Sequence, residues 1–419
     1  MTKRVKTTLG ELAAPGRSVI SGPFGSDIGT KFFKSEGVPV IRGNNLTTDY
    51  RKFVDDGFVF VTEEKADDLD AYAVENDLLF TAAGTIGQVG MIPEMCRFEK
   101  YVISNKQIRF RADTNRIDLD YLYAWLSSPW TFKSITNRNT GSTVPLINLS
   151  VVRSLPVLLP KDVSAQRKVG RIFRSIDAKI DLNNRINAEL EVLAKSIYDY
   201  WFVQFDFPDA KGRPYKTSGG KMVWNEALKR EIPAGWGAGD LSGIANITMG
   251  QSPAGDSYNK KARGVVFFQG STDFGIRSPD VRMYTTSPGR MGREGDILVS
   301  VRAPVGTLNV ADRDCCIGRG LAALHSKNGN DGYLYRVMAD FKQIFDRRSA
   351  EGTTFGSITK DDLFGLKVLI PDAQTLKAHA RMANDWMRLA ATRDKENREL
   401  TQLRDWLLPL LMNGQVRVA

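Results

Sequence analysis

The chain has 419 residues, about three times the length of a typical domain, and 42% of them are hydrophobic, so it can bury more than one core. Charged residues make up an ordinary 25%, and this composition excludes a disordered chain. Lys and Arg (58) exceed Asp and Glu (48), an excess that suits a polyanionic partner if it lies on one face. The three cysteines lack disulfide spacing, and the N-terminus lacks an apolar signal. The apolar stretch at 406–412 is too short to span a bilayer. These features predict a cytoplasmic protein with no membrane segment.

The first half of the chain begins with short β-forming runs at 38–41 and 58–61, separated by Gly, Asn and Asp turns. Asp162 follows Pro160 and can cap a helix that continues to about residue 203. At 1.5 Å per residue, such a helix is about 60 Å long. Its apolar positions recur at heptad-like spacing and predict a packing seam of Ile186, Leu190, Leu193 and Ile197.

Residues 206–235 are rich in Pro, Gly and charge and are interpreted as an ordered connector to the second half. There, β-forming runs return at 265–268 and 297–301, and Asp372 can cap a second long helix that continues to about residue 412. Its predicted seam consists of Leu400, Leu403, Leu407 and Leu410. The pattern predicts α+β domains with mixed or antiparallel sheets, each followed by a long helix.

Two expectations follow for the helices. Polar residues lie near both seams, where they can set the helix register: Asn183 and Asn187 in the first helix, Arg393 and Asn397 in the second. Replacing Leu193 or Leu403 by aspartate is expected to bury an unpaired charge between the helices and to destabilise them by several kcal/mol.

The two halves repeat a common frame. In the first half 10 residues separate Asp77 from Gly87, and in the second 10 residues separate Asp296 from Gly306. A later glycine precedes a proline by 19 residues in both halves. Almost no identity survives between these landmarks, so the sequence predicts two similar domains with different loops.

Residues that would support catalysis or metal binding are scarce. The two histidines, His325 and His379, are far apart in sequence, and His379 is expected on the exposed side of its helix. The chain has no phosphate-binding P-loop and no Asn-Pro-Pro or Asp-Pro-Pro tetrapeptide. Asp77 and Asp296 precede strands and are expected to bond their own backbone. The sequence therefore predicts a chain that is not an enzyme and holds no metal or cofactor.

Polar and basic loops instead suggest contacts with DNA, because cations and small donors bind phosphates while Arg, Asn and Gln can read base edges. No acidic residue occurs from 121 to 161. Candidate DNA-binding residues, chosen by chemistry and repeat position, are Lys31, Arg42, Asn44, Asn45, Lys106, Arg138, Asn139, Ser142 and Thr143 in the first half, and Lys260, Gln269, Ser271, Arg302, Arg319, Arg347, Arg348, Thr353 and Thr354 in the second.

Two unlike domains held apart by long helices can read two different short sequences. Half-sites read on one face of DNA lie about one helical turn apart, roughly 34 Å, and a helix pair about 60 Å long can set such a distance. The expected target is an asymmetric bipartite site.

The chain resembles the specificity subunit of type I restriction-modification systems, HsdS. The most specific match is YDYWFVQFDFP at 198–208, followed by KMVWNE at 221–226 and PAGW at 233–236. The repeated Gly-Asp-Ile-Leu type of strand, the Thr-Gly-Ser-Thr turn and the proline-to-helix junctions support it. The resemblance covers essentially the whole chain.

The resemblance implies two α/β target recognition domains and two conserved helical regions packed as an antiparallel coiled coil. Their implied bounds are 1–160 for the first recognition domain, 161–205 for the central helical region, 206–371 for the connector and second recognition domain, and 372–419 for the C-terminal helical region. It further implies a non-catalytic subunit that binds double-stranded DNA and docks two modification methyltransferase subunits (HsdM) and restriction subunits (HsdR). S-adenosylmethionine, ATP and Mg would reside on those partners.

Two other interpretations stay open at this point. The chain could be a helical adaptor that scaffolds partner proteins without reading DNA, or an enzyme, such as a nuclease or methyltransferase, with an unrecognised site. Site-specific DNA binding in the presence of the methyltransferase would argue against the adaptor. Enzymatic activity of the isolated chain would support the enzyme.

Overall fold

The computed structural model describes residues 4–48, 50–350, 356–416 and 418. The chain separates into two compact units, Met1–Leu182 with Arg398–Ala419, and Asn183–Asn397. Each unit combines one α+β domain with one stretch of each of the two long helices. Within these described residues, no helix is both long and apolar enough to cross a membrane.

The described strands of the first unit are β1 (Arg4–Thr8), β2 (Val19–Ser21), β3 (Val38–Ile41), β4 (Val59–Val61), β5 (Tyr72–Val74), β6 (Leu78–Thr81), β7 (Val89–Met91), β8 (Lys100–Ile103), β9 (Gln107–Phe110) and β10 (Pro156–Pro160). β2, β9, β6 and β7 form an antiparallel sheet in that order. β4, β3, β8 and β5 form a mixed sheet in which β3 and β8 are parallel, and β1 pairs with β10. Its helices are α1 (Glu63–Leu69), α2 (Leu119–Leu126), α3 (Pro129–Thr136), α4 (Leu149–Arg153) and the first stretch of α5 (Val163–Tyr198).

The described strands of the second unit are β11 (Met222–Asn225), β12 (Arg230–Pro233), β13 (Gly237–Asp240), β14 (Ala245–Met249), β15 (Tyr258–Asn259), β16 (Val265–Phe268), β17 (Tyr284–Thr285), β18 (Met291–Gly292), β19 (Ile297–Ser300), β20 (Leu308–Val310), β21 (Cys315–Ile317), β22 (Leu321–Ser326) and β23 (Lys367–Ile370). β14, β22, β19 and β20 form an antiparallel sheet; β15, β17, β16, β21 and β18 form a mixed one; β13 pairs with β23, and β11 with β12. Its helices are α6 (Leu241–Ile244), α7 (Asp331–Ala350), α8 (Lys360–Phe364) and the first stretch of α9 (Ala373–Met412), and a π-helical turn, Asp199–Val203, continues α5.

The two domains share one topology, which confirms the predicted repeat and the α+β class. The four-stranded antiparallel sheet has the same connection order in both, and the parallel pair β3 and β8 corresponds to β16 and β21. The repeated aspartates have the predicted turn role. Asp77 Oδ2 accepts a hydrogen bond from the Val74 amide at 3.0 Å, and Asp296 Oδ2 accepts one from the Arg293 amide at 2.8 Å.

Each unit has its own core, to which the helices contribute. In the first unit Phe80 and Phe110 from the sheet pack in one buried cluster with Phe173 from α5 and Leu408 and Leu411 from α9. In the second unit a buried cluster of aromatic side chains lines the end of α5 and the start of α7, comprising Tyr198, Trp201, Phe202, Trp236 and Tyr333. Because helix and domain share one core within a unit, the helix stretches are integral parts of the domains.

The two long helices are antiparallel, as predicted. In the second unit Asn183 Nδ2 donates to Asn397 Oδ1 at 2.9 Å, and one turn later on α5 Asn187 Nδ2 donates to Asp394 Oδ1 at 2.9 Å. Residue numbers rise on one helix as they fall on the other. These polar side chains lie in the seam, where paired amides favour one register over others.

The predicted seam is partly wrong. Leu193 and Leu403 are 46% and 43% exposed, so aspartate at either position would not bury a charge between the helices as expected. The other predicted members are partly buried: Ile186, Leu190, Ile197, Leu400, Leu407 and Leu410. Residues spaced alternately three and four apart are the buried ones, among them Val169, Phe173, Ile176, Asn183 and Asn187 in α5, and His379, Ala383, Ala390, Arg404, Leu408 and Leu411 in α9. Small and polar side chains occupy much of the seam. The spacing of the leucines therefore predicts a neighbouring face of each helix and not the buried one.

His379 lies in this seam and not on the exposed side of its helix. Its side chain is 1% exposed, and its ring centroid is 4.9 Å from that of Phe202 and 5.8 Å from that of Trp201. Neither ring nitrogen has a hydrogen-bond partner in the described part of the chain. Burial lowers the pKa of His379 from 6.5 to about 4, so the ring is neutral at pH 7.

We expect this histidine to make the second unit less stable in mild acid. The unfolded chain takes up a proton on His379 near pH 6.5 and the folded chain only near pH 4, so stability falls as pH falls through this window, by about 3 kcal/mol in total. His379→Leu should remove this loss, so that the decrease in Tm between pH 7 and pH 5 becomes smaller than in the wild type. Equal decreases in the two proteins would contradict the assignment.

Candidate nucleic-acid interface

Main-chain hydrogen bonds bring several candidate loops of the first unit together at one end of its sheets. The Gly22 amide, after β2, donates to Gln107 O at 2.9 Å. The Ser104 amide, after β8, donates to Ile41 O at 2.9 Å, at the end of β3. The loops after β2 and β3 therefore meet the turn between β8 and β9.

Two further loops join the same end. The Ala82 amide, after β6, donates to Lys106 O at 2.7 Å, and the Ile147 amide donates to Ala82 O at 2.8 Å. The Gly84 amide donates to Pro145 O at 2.9 Å. We call the set formed by residues 21–27, 42–46, 82–88, 104–107 and 139–147 the first loop cluster.

The candidate side chains in this cluster differ in what they can contact. Those that are exposed and can reach a ligand are Asn44, Lys106, Asn139, Ser142 and Thr143. Arg42 is partly buried and donates to Gly57 O at 3.1 Å. Asn139 Oδ1 also accepts from the amides of Gly141 and Leu146, at 2.9 and 2.8 Å, so this residue shapes its own loop.

The prediction that Asn45 binds DNA is wrong. It is fully buried; its Oδ1 accepts from the Arg42 amide, and its Nδ2 donates to Val54 O and Asp56 O, each at 2.9 Å. Its amide is committed to the turn after β3, so it cannot reach a base. An asparagine before a turn is equally suited to both roles, and only its burial separates them.

Two candidates of the first unit lie outside the loop cluster. Lys31 is exposed in a short 3-10 turn, Thr30–Phe32, with its Nζ 4.8 Å from the centroid of the Phe32 ring. Arg138 follows α3 and donates to Ser134 O at 2.8 Å, so its partly buried side chain closes the end of that helix.

The second unit builds a corresponding cluster from the same kind of main-chain bonds. The Gly250 amide, after β14, donates to Leu321 O at 2.9 Å, and the Gly318 amide, after β21, donates to Phe268 O at 2.8 Å. The Val301 amide donates to Gly320 O and the Ile358 amide to Val301 O, each at 2.9 Å. We call residues 250–257, 268–273, 301–307, 317–320 and 356–358 the second loop cluster.

Exposed Gln269, Arg302 and Arg319 and partly buried Ser271 lie in the second loop cluster. Lys260 lies in a separate turn between β15 and β16, and Arg347 is exposed near the end of α7. Arg348 is in the same helix, and nothing is described of its side chain; Thr353 and Thr354 lie outside the described residues.

The charge at both clusters is available to an anion. Lys106, Arg302 and Arg319 form no ion pair with any residue that the structure describes. Many other surface cations are neutralised; for example, Arg111 binds Asp77 through two hydrogen bonds of 2.7 and 2.8 Å. Unpaired cations beside exposed amides and hydroxyls suit phosphates and base edges.

Two glycines that are not among the predicted DNA-binding residues allow the loops of each cluster to approach one another closely. A Cβ on Gly22 would lie 1.9 Å from Ser104 O, and one on Gly250 would lie 2.2 Å from Gly318 O. Both follow the first strand of their antiparallel sheet, so they are equivalent positions. The signal available in the sequence was the glycine that ends a β-forming run in each half, at 22 and 250.

Known proteins resemble this chain in sequence and in fold. Residues 26–192 match the family model described as type I restriction modification DNA specificity domain. The chain is 28% identical over 371 residues to a type I restriction enzyme specificity subunit of Methanocaldococcus jannaschii, MjaX, covering 86% of this chain and 83% of that protein. It is 22% identical over 385 residues to the HindI specificity subunit of Haemophilus influenzae, covering 76% and 82%.

A solved structure shares the fold. The S subunit of a type I restriction-modification system from M. genitalium is 15% identical, with a TM-score of 0.57 over 98% of this chain and 96% of that one. Residues 26–192 therefore match a type I DNA specificity domain, and the chain as a whole is similar in sequence to type I restriction enzyme specificity subunits.

Proposed function

We propose that the chain reads an asymmetric bipartite site in double-stranded DNA, with each loop cluster contacting one half-site. The observation that carries this proposal is the pairing of a shared main-chain frame with unlike side chains. The first cluster presents Asn44 and Lys106, whereas the second presents Gln269, Arg302 and Arg319. Arginine favours guanine and Asn or Gln favours adenine, so unlike sets favour unlike half-sites.

We further propose that the chain is a non-catalytic subunit that docks modification methyltransferase and restriction subunits. Exposed apolar side chains on the helices support docking: Val192 and Leu193 on α5 in the second unit, and Leu403 and Trp406 on α9 in the first. Two such patches match two modification subunits. S-adenosylmethionine would then be bound by those subunits, and ATP and Mg by the restriction subunits.

Mapping of methyladenine tests the function directly. The chain is co-expressed with its methyltransferase partner, and methylated adenines are mapped by single-molecule sequencing with and without it. We expect a split, asymmetric motif that appears only with the chain. A stable complex with an active methyltransferase but no chain-dependent motif would support the adaptor interpretation instead.

Salt dependence tests the phosphate contacts. For Lys106→Gln we expect the negative slope of log K against log salt to become shallower by about 1, because one phosphate contact and its released counterion are lost. Lys6→Gln, an exposed lysine on β1 outside both clusters, is the matched control and should leave the slope unchanged. Equal slopes for all three proteins would remove Lys106 from the interface.

A further inference from the structure

An exposed phenylalanine stands at the tip of the loop after β2, within the first loop cluster. Phe24 is 83% exposed, although burying such a side chain is favourable by about 1.5–3 kcal/mol. Single exposed apolar residues are common and need no explanation. The way in which this loop is held is what distinguishes Phe24.

The loop is fixed at both ends and along its length. Ile20 before it and Ile28 after it are buried in the same core cluster. Gly22 lies so close to Ser104 O that it has no room for a Cβ, and a Cβ on Gly25 would lie 3.0 Å from Asn105 Nδ2. The Asp27 amide donates to Phe24 O at 2.9 Å, which closes a turn around the aromatic residue. A ring on such a loop is presented to a ligand with little ordering cost.

The surroundings of the ring suit nucleic acid. Exposed Asn105 and Lys106 lie on the neighbouring turn, and Lys31 follows in the same segment; Asp27 is the one acidic residue among those described at 21–31. Proteins that deform DNA insert apolar side chains, Phe among them, between base steps beside cationic contacts to the backbone. We infer that Phe24 is a wedge that enters a base step of the first half-site and unstacks it; this inference rests on the proposed DNA-reading function.

Among its described residues, the second loop cluster has no equivalent of Phe24. Its corresponding loop runs through Gln251, Ser252 and Pro253, and the next aromatic residue, Tyr258, is partly buried and stacked on Phe267 with centroids 4.9 Å apart. Ile276 is 80% exposed in this unit, but it lies outside the second loop cluster, on a loop that bonds to Asn309 of β20 and, through Arg277, to Asp394 of α9. We therefore expect unstacking at the half-site read by the first unit.

Fluorescence of 2-aminopurine tests the inference in the complex of the full chain with its methyltransferase. The probe replaces single bases along the site defined by methyladenine mapping, and the methylated adenine stays unlabelled because extrusion of that base would also raise fluorescence. We expect a rise at one step of the first half-site. Phe24→Ala should abolish the rise and weaken binding about 10-fold or more, whereas Phe24→Leu should retain part of both. Met95→Ala, which removes a fully exposed apolar side chain of the same unit, is the matched control and should behave as wild type.

The outcomes separate this inference from the proposed function. If wild type shows no site-specific binding, the DNA-reading function itself fails. If wild type binds specifically but no probe brightens, and Phe24→Ala binds equally well, the wedge is overturned and the function stands. If Phe24→Ala instead loses assembly with the methyltransferase at unchanged Tm, Phe24 is a protein contact, which also overturns the wedge.

Discussion

Leu408→Asp is expected to destabilise the first unit by about 3–5 kcal/mol, because it replaces a buried apolar side chain by a charge within an apolar cluster. Leu408 is 2% exposed and packs in the cluster that contains Phe173 of α5 and Phe110 of β9. Hydrogen exchange can locate the effect, since protection should be lost in the first unit, and denaturant unfolding measures its size.

Leu403→Asp on the same helix is the matched comparison. Its side chain is 43% exposed, so we expect a change in unfolding free energy below about 1 kcal/mol. Assembly with the methyltransferase should weaken, because the charge falls on the proposed docking patch. Destabilisation by Leu403→Asp as large as that by Leu408→Asp would refute the seam described for α9.

Gly22→Ala is expected to cost recognition of the first half-site, on the order of 100-fold in affinity. The new Cβ would lie 1.9 Å from Ser104 O, and because a Cβ and a main-chain carbonyl cannot rotate away from each other, the loop must move away from the β8–β9 turn. Binding is measured on sites in which one half at a time is mutated. The variant should lose discrimination at the first half-site and keep it at the second.

Gly29→Ala controls for the loss of a glycine in the same segment. Its Cβ would lie 3.5 Å from Gly25 O, an ordinary contact, so binding should be unchanged. If Gly22→Ala also binds as wild type, the close approach to Ser104 has no part in recognition.

Much of the architecture was predictable, because duplicated landmarks constrain it strongly. Asp77 and Asp296 precede equivalent strands, and Asp162 and Asp372 precede the two long helices at which the domains end. Strand order and the parallel pairing of β3 with β8 could not be predicted, since period-two alternation shows where a strand lies and not which strand it pairs with.

The helix seam and the loop chemistry were harder to predict for one physical reason. Side chains such as Asn187, Ala390 and His379 are poor indicators of burial, although they are buried here by packing against a second helix or an aromatic cluster. Asn45 shows the same difficulty in a loop, because its residue type fits base reading and turn formation equally. Tertiary contacts determine whether such a residue is buried or exposed, and these contacts cannot be predicted from a single sequence.

The loop clusters are joined by amides and carbonyls, which every residue except proline supplies in full. Side chains at exposed positions such as Asn44 or Gln269 can therefore be exchanged without breaking the bonds that hold the loops in place. An insertion would be different, since it would shift donors away from acceptors. If the clusters read DNA as proposed, single substitutions can change the target preference, while the lengths of the loops and the glycines at 22 and 250 must be kept.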